Sequence, residues 1–320
     1  MFHKSLVSSR LGLGLSFHAG GIALARVEFP RNASPILRQV RHISCPDPGE
    51  SAFLLREALR QEDFPRARCV VALDMGDYQL LQVEAPDVPE NELGAALRWQ
   101  VRDLLSYPVE EAVLDFFTVP HQGSRNRSKV AYAVASQKGV LSRRITFLQD
   151  AKVKIEALDI PEMALRNIGL RLPECRQGVA LLYLEDHNGV ILLIREGLIY
   201  LTRKFGFGLG GLHAYENYAG EEGEGVFRDE LSERLVLEVQ RSLDFFESNF
   251  RLSPITTLVI APPARHGSAL FAILQSGLAI PCRWLDLKEI MTVEQNIAAS
   301  ERERGLIAVG AALRGVEPKP

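Results

Sequence analysis

The stretch that decides the fold is Leu11–Phe29, which reads LGLGLSFHAGGIALARVEF. Leu11–Phe17 is mostly apolar, the pair Gly20-Gly21 supplies a tight turn, and Ile22–Phe29 is largely apolar again. Two apolar runs joined by glycines are typical of a β-hairpin, because glycine adopts the backbone conformations that a tight turn requires. The sequence therefore predicts a hairpin near its beginning, from which the first sheet is built.

A second stretch of the same kind is Val179–Arg203, which reads VALLYLEDHNGVILLIREGLIYLTR. Both stretches are followed by a short buried strand and a helix, namely Cys69–Leu73 and Pro161–Leu170 after the first, and Thr257–Ala261 and Ser268–Ser276 after the second. Hairpins followed by strand and helix alternation, occurring twice, predict an α/β fold made of two related halves.

Residues 79–150 look like a small α/β unit inserted into the first half. Its predicted elements are the strand Gln79–Val83, a helix from Pro89 to Pro108, a hairpin of Val113–Val119 with Val130–Ala135, and the helix Gly139–Ala151. We therefore predict that residues 1–78 and 151–174 form the first half and that residues 175–315 form the second, in which 205–254 are a smaller subdomain. Residues 316–320 are then a tail.

The composition excludes several classes of protein. The chain has 320 residues, a net charge of −3 and 47% hydrophobic residues, so nothing in its charge favours nucleic acid. No apolar run approaches the roughly 20 residues of a membrane helix. The four cysteines show no metal-binding spacing and are expected to be reduced thiols in the cytoplasm; they are Cys45, Cys69, Cys175 and Cys282. We expect no metal site.

Three stretches resemble the PilM family of actin-like proteins of type IV pilus assembly, and within it the MshI branch of the MSHA pilus system. Ala95–Asp115, AALRWQVRDLLSYPVEEAVLD, is similar to the family's helix that ends in "W-x-x-x-x-L-P-F-P-x-E". Leu237–Asn249, LEVQRSLDFFESN, resembles "E-I-x-R-S-L-x-F-F", and Gly305–Gly315, GLIAVGAALRG, resembles "A-x-A-x-G-L-A-L-R-G". The resemblance implies an α/β, actin-like (ribonuclease H-like) fold of two halves around a nucleotide cleft, with a small inserted α/β subdomain of the FtsA/PilM type.

The first nucleotide turn of that family is altered here. The family reads "G-I-D-I-G-S-S-x-V-K" where this chain has Gly14–Ala23. Ser16 stands in place of the aspartate, His18 replaces a glycine and Ala23 replaces the lysine. Gly20 and Gly21 still permit a turn, but the charged groups that would hold magnesium and phosphate are gone.

The other two nucleotide turns are altered as well. In the second, "V-D-I-G" of the family, Tyr183 replaces the aspartate and Glu185 replaces the glycine, with Asp186 following. We expect Glu185 and Asp186 to be solvated and to repel phosphates. In the third, "S-G-G-G/A", the chain has Pro262 and Pro263, which lack backbone N–H donors.

These changes lead us to expect no catalysis and no ATP or Mg²⁺ cofactor, as in a degenerate ATPase. The glycine-rich run Phe205–Gly211 lacks the Lys-Ser/Thr of a phosphate loop, so we interpret it as a structural turn. Two alternatives stay open: a working actin-like ATPase of pilus or type II secretion assembly, and a cytoplasmic domain of the GspL type. The second usually continues into a membrane helix, which the ending of this sequence does not suggest.

The resemblance also implies a partner, because PilM-like proteins bind the short N-terminal cytoplasmic peptide of a PilN-like inner-membrane protein. The expected groove lies between the inserted unit and the first half. Its candidate lining residues are Trp99, Leu105, Tyr107, Phe116, Phe117 and Tyr132. We accordingly expect a cytoplasmic protein, peripherally associated with the inner membrane through this partner and in contact with other pilus components. The sequence leaves open whether the chain forms a homodimer.

Overall fold

The structure is a computed structural model that describes residues 11–18, 20–31, 33–44, 51–61, 69–119, 129–210, 224–250, 252–263 and 267–314. Of the features discussed above, Cys45, Gly211, Gly315 and the tail 316–320 lie outside the described residues.

The first half is built on a mixed sheet with the strand order β14-β3-β2-β1-β4-β8. Its strands are β1 Leu11–His18, β2 Gly21–Glu28, β3 Ile36–Ser44, β4 Cys69–Ala72, β8 Ile155–Asp159 and β14 Thr292–Val293. β1, β2 and β3 are antiparallel, whereas β4 and β8 run parallel to β1, and β14 adds in parallel to β3. The hairpin predicted from the opening stretch is thus the centre of this sheet.

The second half repeats the arrangement with the strand order β11-β10-β9-β12-β13. Its strands are β9 Val179–Leu184, β10 Gly189–Arg195, β11 Leu198–Phe205, β12 Leu258–Ile260 and β13 Cys282–Trp284. Again three strands are antiparallel and the last two run parallel to the first strand of the hairpin. The prediction of an α/β fold with two similarly built halves is confirmed.

The third sheet has three antiparallel strands in the order β5-β7-β6. Its strands are β5 Gln79–Ala85, β6 Ala112–Thr118 and β7 Lys129–Gln137, all within the predicted inserted unit. The helix α2, Glu90–Val101, packs on one face, where Leu97 and Val101 are buried against Ala131 and Ala133. The helix is shorter than predicted, because the chain turns through two 3-10 turns, Arg102–Leu104 and Val109–Glu111, before it enters β6.

The remaining helices cover the two large sheets. They are α1 Ser51–Gln61, α3 Lys138–Asp150, α4 Pro161–Gly169, α5 Glu224–Asn249, α6 Gly267–Gly277, α7 Ala299–Arg304 and α8 Leu306–Ala312. Pro161 occupies the first turn of α4, a position that lacks a hydrogen-bond partner in any helix and therefore suits proline. Gly305 separates the last two helices, α7 and α8.

Helix α8 is wholly buried and packs its backbone directly on β1. A Cβ atom at Gly14 would lie 1.9 Å from the carbonyl oxygen of Ala308, and one at Gly12 would lie 2.2 Å from that of Ala312. On its other side, a Cβ atom at Gly310 would lie 2.2 Å from the oxygen of Ala164 in α4. Glycine is required at these positions because strand and helices approach closer than any side chain allows. The largest hydrophobic core continues from here through both halves.

Candidate functional site

The first hairpin ends in an apolar environment. Ser16 in β1 is only 1% exposed, and it pairs with Ala23 of β2 and Ala72 of β4. Its hydroxyl oxygen is buried without a hydrogen-bond partner in the described part of the chain. A carboxylate at this position would be a buried charge, and that is costly when no cation or donor compensates it.

The tip of this hairpin is filled by two imidazole rings. His18 stacks on His42 of β3, with ring centroids 4.8 Å apart and an angle of 24° between the planes. The backbone N–H of His42 donates to Glu301 Oε2 at 2.8 Å. Burial, His18 and Arg304 lower the pKa of His42 to about 4, so His42 is neutral at physiological pH.

The turn between β1 and β2 is itself tightly packed. Gly20 adopts a φ of +88°, which favours glycine, and a Cβ atom at Gly21 would lie 2.2 Å from the carbonyl oxygen of Ile43. Both glycines thus have structural reasons to be where they are, independent of any phosphate.

The second hairpin is filled by polar groups instead. The hydroxyl of Tyr183 donates to Glu185 Oε1 at 3.2 Å, and both side chains are half-buried. Burial and the nearby carboxylate of Asp74 raise the pKa of Glu185 to about 7. Burial and Glu185 also raise the pKa of Tyr183 well above its usual range. The expectation of solvated carboxylates is therefore wrong for Glu185, whereas Asp186 is exposed.

The glycine-rich run after β11 folds back onto this second hairpin. The N–H of Leu209 donates to the oxygen of Glu185 and that of Gly210 to the oxygen of Asp186, each at 2.7 Å. A Cβ atom at Gly208 would lie 2.0 Å from the Glu185 oxygen. These two N–H groups are thus used within the protein, and the run is a structural turn over the hairpin, not an open phosphate cradle.

The third turn follows β12, where the N–H of Ala261 donates to Leu182 at 2.8 Å before Pro262 and Pro263. Pro262 lines a cavity of about 90 Å³. Ligand pockets are typically about 300–1,000 Å³, so this space is small for a nucleoside. Its other lining residues are Leu285, Asp286, Leu287, Ala299, Arg302, Glu303 and Leu306. Burial raises the pKa of Glu303.

A cluster of charged and phenolic groups interacts with Glu185 of the second hairpin. The ammonium of Lys204 in β11 donates to the carbonyl oxygen of Met75 and lies 5.0 Å from the centroid of the Tyr78 ring. The Tyr78 hydroxyl donates to Glu162, which is fully buried, and burial raises the pKa of Glu162. Among the described residues, no group of three or more His, Cys, Asp and Glu side chains is arranged to hold a metal ion.

The inserted unit presents a different kind of surface. Trp99 on α2 is 68% exposed and Leu104 in the following 3-10 turn is 54% exposed. The Arg102 guanidinium lies 4.8 Å from the centroid of the Trp99 ring. Leu105 and Tyr107 are half-buried. Leu104 was not among the sequence candidates, although its apolar side chain next to Leu105 is a signal that could have identified it.

The three aromatic candidates on the sheet of this unit are less accessible. Phe116 is half-buried on the α2 side, where it lies against Gly94. Phe117 and Tyr132 point to the opposite face, are 8% and 2% exposed, and stack at 5.2 Å. The Tyr132 hydroxyl accepts from the N–H of Thr202 at 3.2 Å. Phe117 and Tyr132 belong to the core that reaches the second half, so they do not line an open groove.

Comparisons with known proteins agree with this architecture. No family model matches the chain, and no curated protein does. Among solved structures, a "PilM-PilN type IV pilus biogenesis complex" is similar with a TM-score of 0.73 and 22% identity, covering 96% of this chain and 99% of the other. A Bacteroides thetaiotaomicron protein described as having an actin-like ATPase fold and unknown function has a TM-score of 0.49 and 10% identity, covering 93% of this chain and 96% of the other. The cytoplasmic domain of EpsL, an inner-membrane component of the Vibrio cholerae type II secretion system, has a TM-score of 0.48 and 12% identity, covering 94% of both. The similarity to the PilM-PilN structure shows that the chain has an actin-like α/β fold.

No helix within the described residues combines the length and the apolar character that crossing a membrane requires.

Proposed function

We propose that this protein is a non-catalytic scaffold of a type IV pilus assembly machine, of the MSHA kind, and that it binds the N-terminal cytoplasmic peptide of a PilN-like inner-membrane protein. The observation that carries the proposal is the similarity of nearly the whole chain to PilM in its complex with PilN, at a TM-score of 0.73. The three sequence stretches that resemble the PilM family also support the proposal. They lie in three separate parts of the chain, namely the inserted unit, α5 and α8.

The absence of catalysis is proposed from the side chains at the three turns. Nucleotide hydrolysis in this fold needs carboxylates that hold magnesium and backbone donors that meet phosphates. Ser16 is surrounded by apolar strands, Tyr183 is bonded to Glu185, and Pro262 and Pro263 carry no N–H. None of these groups supplies what a magnesium nucleotide requires.

The surface of the inserted unit offers the apolar contacts that a peptide partner would use. Trp99 and Leu104 expose large apolar side chains within one short segment, with Leu105 and Tyr107 half-buried beside them in sequence. Exposed aromatic residues are enriched among the residues that dominate binding energies. We place the peptide contact here, and we assign Phe117 and Tyr132 to the support of this unit and not to the contact itself.

The proposal predicts how the protein distributes in cells that express the pilus system. With a PilN-like partner present, part of the protein should sediment with membranes, and deletion of that partner should move it entirely to the soluble fraction. Deletion of a pilin subunit, which leaves the inner-membrane partner in place, is the control and should change nothing. Membrane association that persists without the PilN-like partner would contradict the proposal.

A second candidate function is a nucleotide-binding actin-like ATPase of pilus or type II secretion assembly. The observation that favours it is the cavity beside Pro262, which lies at the turn that would face the nucleoside in this fold. Its small volume counts against this candidate, and a thermal melt with nucleotide separates the two functions.

A further inference from the structure

We propose that Lys204 acts as an internal cation that holds the two halves of the protein together across the cleft, so that closure requires no bound ligand. The inference goes beyond the scaffold role and does not depend on which partner the protein binds. It rests on the contacts of one strand, β11, with groups that belong to the first half and to the inserted unit.

The first link is made by the Lys204 ammonium itself. It donates to the carbonyl oxygen of Met75, in the loop that follows β4 of the first half, and lies over the ring of Tyr78 in the same loop. Met75 and Tyr78 are both buried, at 1% and 5% exposed. A charged donor that meets a buried carbonyl and an aromatic face is stronger than a surface contact of the same kind.

The second link is made two residues earlier on the same strand. The N–H of Thr202 donates to the hydroxyl of Tyr132 in the inserted unit at 3.2 Å, and Thr202 is 5% exposed. The Tyr132 ring in turn stacks on Phe117. Thus neighbouring positions of β11 contact the first half and the inserted unit.

The charges around Lys204 explain why a cation is needed. Asp74 lies in the loop after β4, Glu162 in the first turn of α4, and Glu185 at the second hairpin, and all three interact electrostatically with Lys204. Burial lowers the pKa of Lys204, and these three carboxylates oppose that effect. Without the ammonium, acidic groups from both halves would face one another in a half-buried space, and uncompensated buried charges destabilise strongly.

The polar network continues on both sides of Lys204. In the first half the Tyr78 hydroxyl donates to Glu162, which is 0% exposed. In the second half Tyr183 donates to Glu185. Glu162 and Glu185 are therefore each bonded within their own half, and the Lys204 ammonium interacts with both of them.

The test compares two lysines that both donate to a backbone carbonyl. Lys204→Met removes the ammonium and keeps most of the apolar stem, whereas Lys138→Met does the same at an exposed site, where Lys138 donates to the oxygen of Glu110 within the inserted unit. Amide hydrogen exchange followed by mass spectrometry reports on each segment separately. We expect Lys204→Met to accelerate exchange at least tenfold in residues 73–78 and in β11, with β1 and α8 unchanged.

A second substitution distinguishes loss of charge from loss of packing. If Lys204 neutralises the carboxylates, the double mutant Lys204→Met/Glu185→Gln should exchange at least threefold more slowly than Lys204→Met in residues 73–78 and in β11. The reason is that removing one carboxylate reduces the repulsion that remains. Mere loss of packing would not respond to this change, and a double mutant no better protected than Lys204→Met overturns the role of the charge.

Unchanged exchange at residues 73–78 in Lys204→Met, or an equal acceleration there in Lys138→Met, would overturn the proposal. Should Lys204→Met fail to fold, the milder Lys204→Gln removes the charge and keeps a side-chain donor for the Met75 oxygen. It should then accelerate exchange in β11 at least threefold while β12 stays protected. An unchanged β11 in that variant would equally overturn the proposal.

Discussion

The two hairpins, β1 with β2 and β9 with β10, have the same strand arrangement but differ in the polarity of the side chains that they hold. At the first, Ser16 pairs with Ala23 and Ala72, and the strand ends in the ring of His18, which stacks on the neutral imidazole of His42. At the second, Tyr183 of β9 donates to Glu185, which follows the strand and interacts with the ammonium of Lys204, so the site is polar.

The difference teaches that two hairpins with the same strand pairing can differ in the kind of side chain that they hold. The first hairpin packs Ser16 among alanines, and the second keeps carboxylates near the ammonium of Lys204. Tyr183 and Glu185 of the second hairpin bond to each other, whereas the Ser16 hydroxyl has no hydrogen-bond partner among the described residues. The comparison makes distinct predictions for the two hairpins.

The largest effect is expected at the first hairpin from Ser16→Asp. The Ser16 hydroxyl finds no hydrogen-bond donor among the described residues, so a carboxylate placed there would be buried without one, and we expect a loss of about 3–5 kcal/mol in the free energy of unfolding. Ser16→Asn, which adds nearly the same volume without charge, is the matched control and should cost clearly less. Urea denaturation of both variants measures this. Equal losses would show that the volume of the new side chain, and not its charge, lowers the stability. They would contradict the description of the surroundings of Ser16 as unable to hold a charge.

A smaller effect is expected from Gly208→Ala in the turn that covers the second hairpin. The new Cβ atom would lie 2.0 Å from the oxygen of Glu185, whereas a Cβ atom at Gly206 meets nothing within 4 Å. We expect Gly208→Ala to lower the free energy of unfolding by about 2–3 kcal/mol, and Gly206→Ala to change it by less than about 0.5 kcal/mol. Thermal or urea denaturation of the pair decides. A neutral Gly208→Ala would mean that the turn does not pack on the hairpin.

The pH dependence of stability should differ between wild type and Glu185→Gln. The pKa of Glu185 rises from 4.5 to about 7 on folding, so between these values the folded chain binds more protons than the unfolded chain. Stability therefore declines as the pH rises through this window, by an amount on the order of 1–2 kcal/mol. Urea denaturation from pH 5 to pH 8 should show this decline in wild type and a flatter curve in Glu185→Gln.

The opposite contribution of His42, whose pKa is lowered to about 4, is present in both proteins and cancels in their difference. Parallel curves for the two proteins would contradict the burial of Glu185 next to Asp74.

Much of this fold could be predicted from the sequence, because local apolar runs and glycine turns indicate the hairpins and the short buried strands. The strand β14, Thr292–Val293, could not, since two residues owe their pairing to a distant edge strand. The helical spacing of apolar residues predicts that helix α2 continues to Pro108, whereas the α-helix ends at Val101 and passes into the 3-10 turn Arg102–Leu104.

The candidate site was predicted less completely. The substitutions at Ser16, Tyr183 and Pro262 are visible in the sequence, but the surroundings of Lys204 are not, because its partners come from the loop after β4, from α4 and from the second hairpin. Glu162 follows a helix-starting proline and resembles an ordinary solvated acid there, although it is fully buried. Such clusters depend on contacts between residues far apart in the chain, which no local pattern records.

The smallest effect on stability is expected outside the cleft, from Trp99→Ala. Trp99 is 68% exposed, so the free energy of unfolding should change by less than about 0.5 kcal/mol. Binding of a synthetic peptide with the N-terminal sequence of the PilN-like partner should nevertheless weaken at least tenfold, measured by calorimetry. Leu237→Ala on α5, where Leu237 is 42% exposed, is the control and should leave binding unchanged. If both variants bind like wild type, the peptide contact lies elsewhere.

The central claim, that this actin-like cleft does not take up nucleotide, is tested most directly by a thermal melt of the unmodified protein with millimolar ATP or ADP and magnesium. A ligand at about 100 times its dissociation constant stabilises the native state by about 2.7 kcal/mol. At the ~2–4 °C per kcal/mol of domains of this size, that is a rise of roughly 5–11 °C in melting temperature. We predict no rise with either nucleotide, because Ser16, Tyr183 and Pro262-Pro263 replace the groups that a magnesium nucleotide needs. A saturable rise of that size would contradict the account and make the ATPase the leading function.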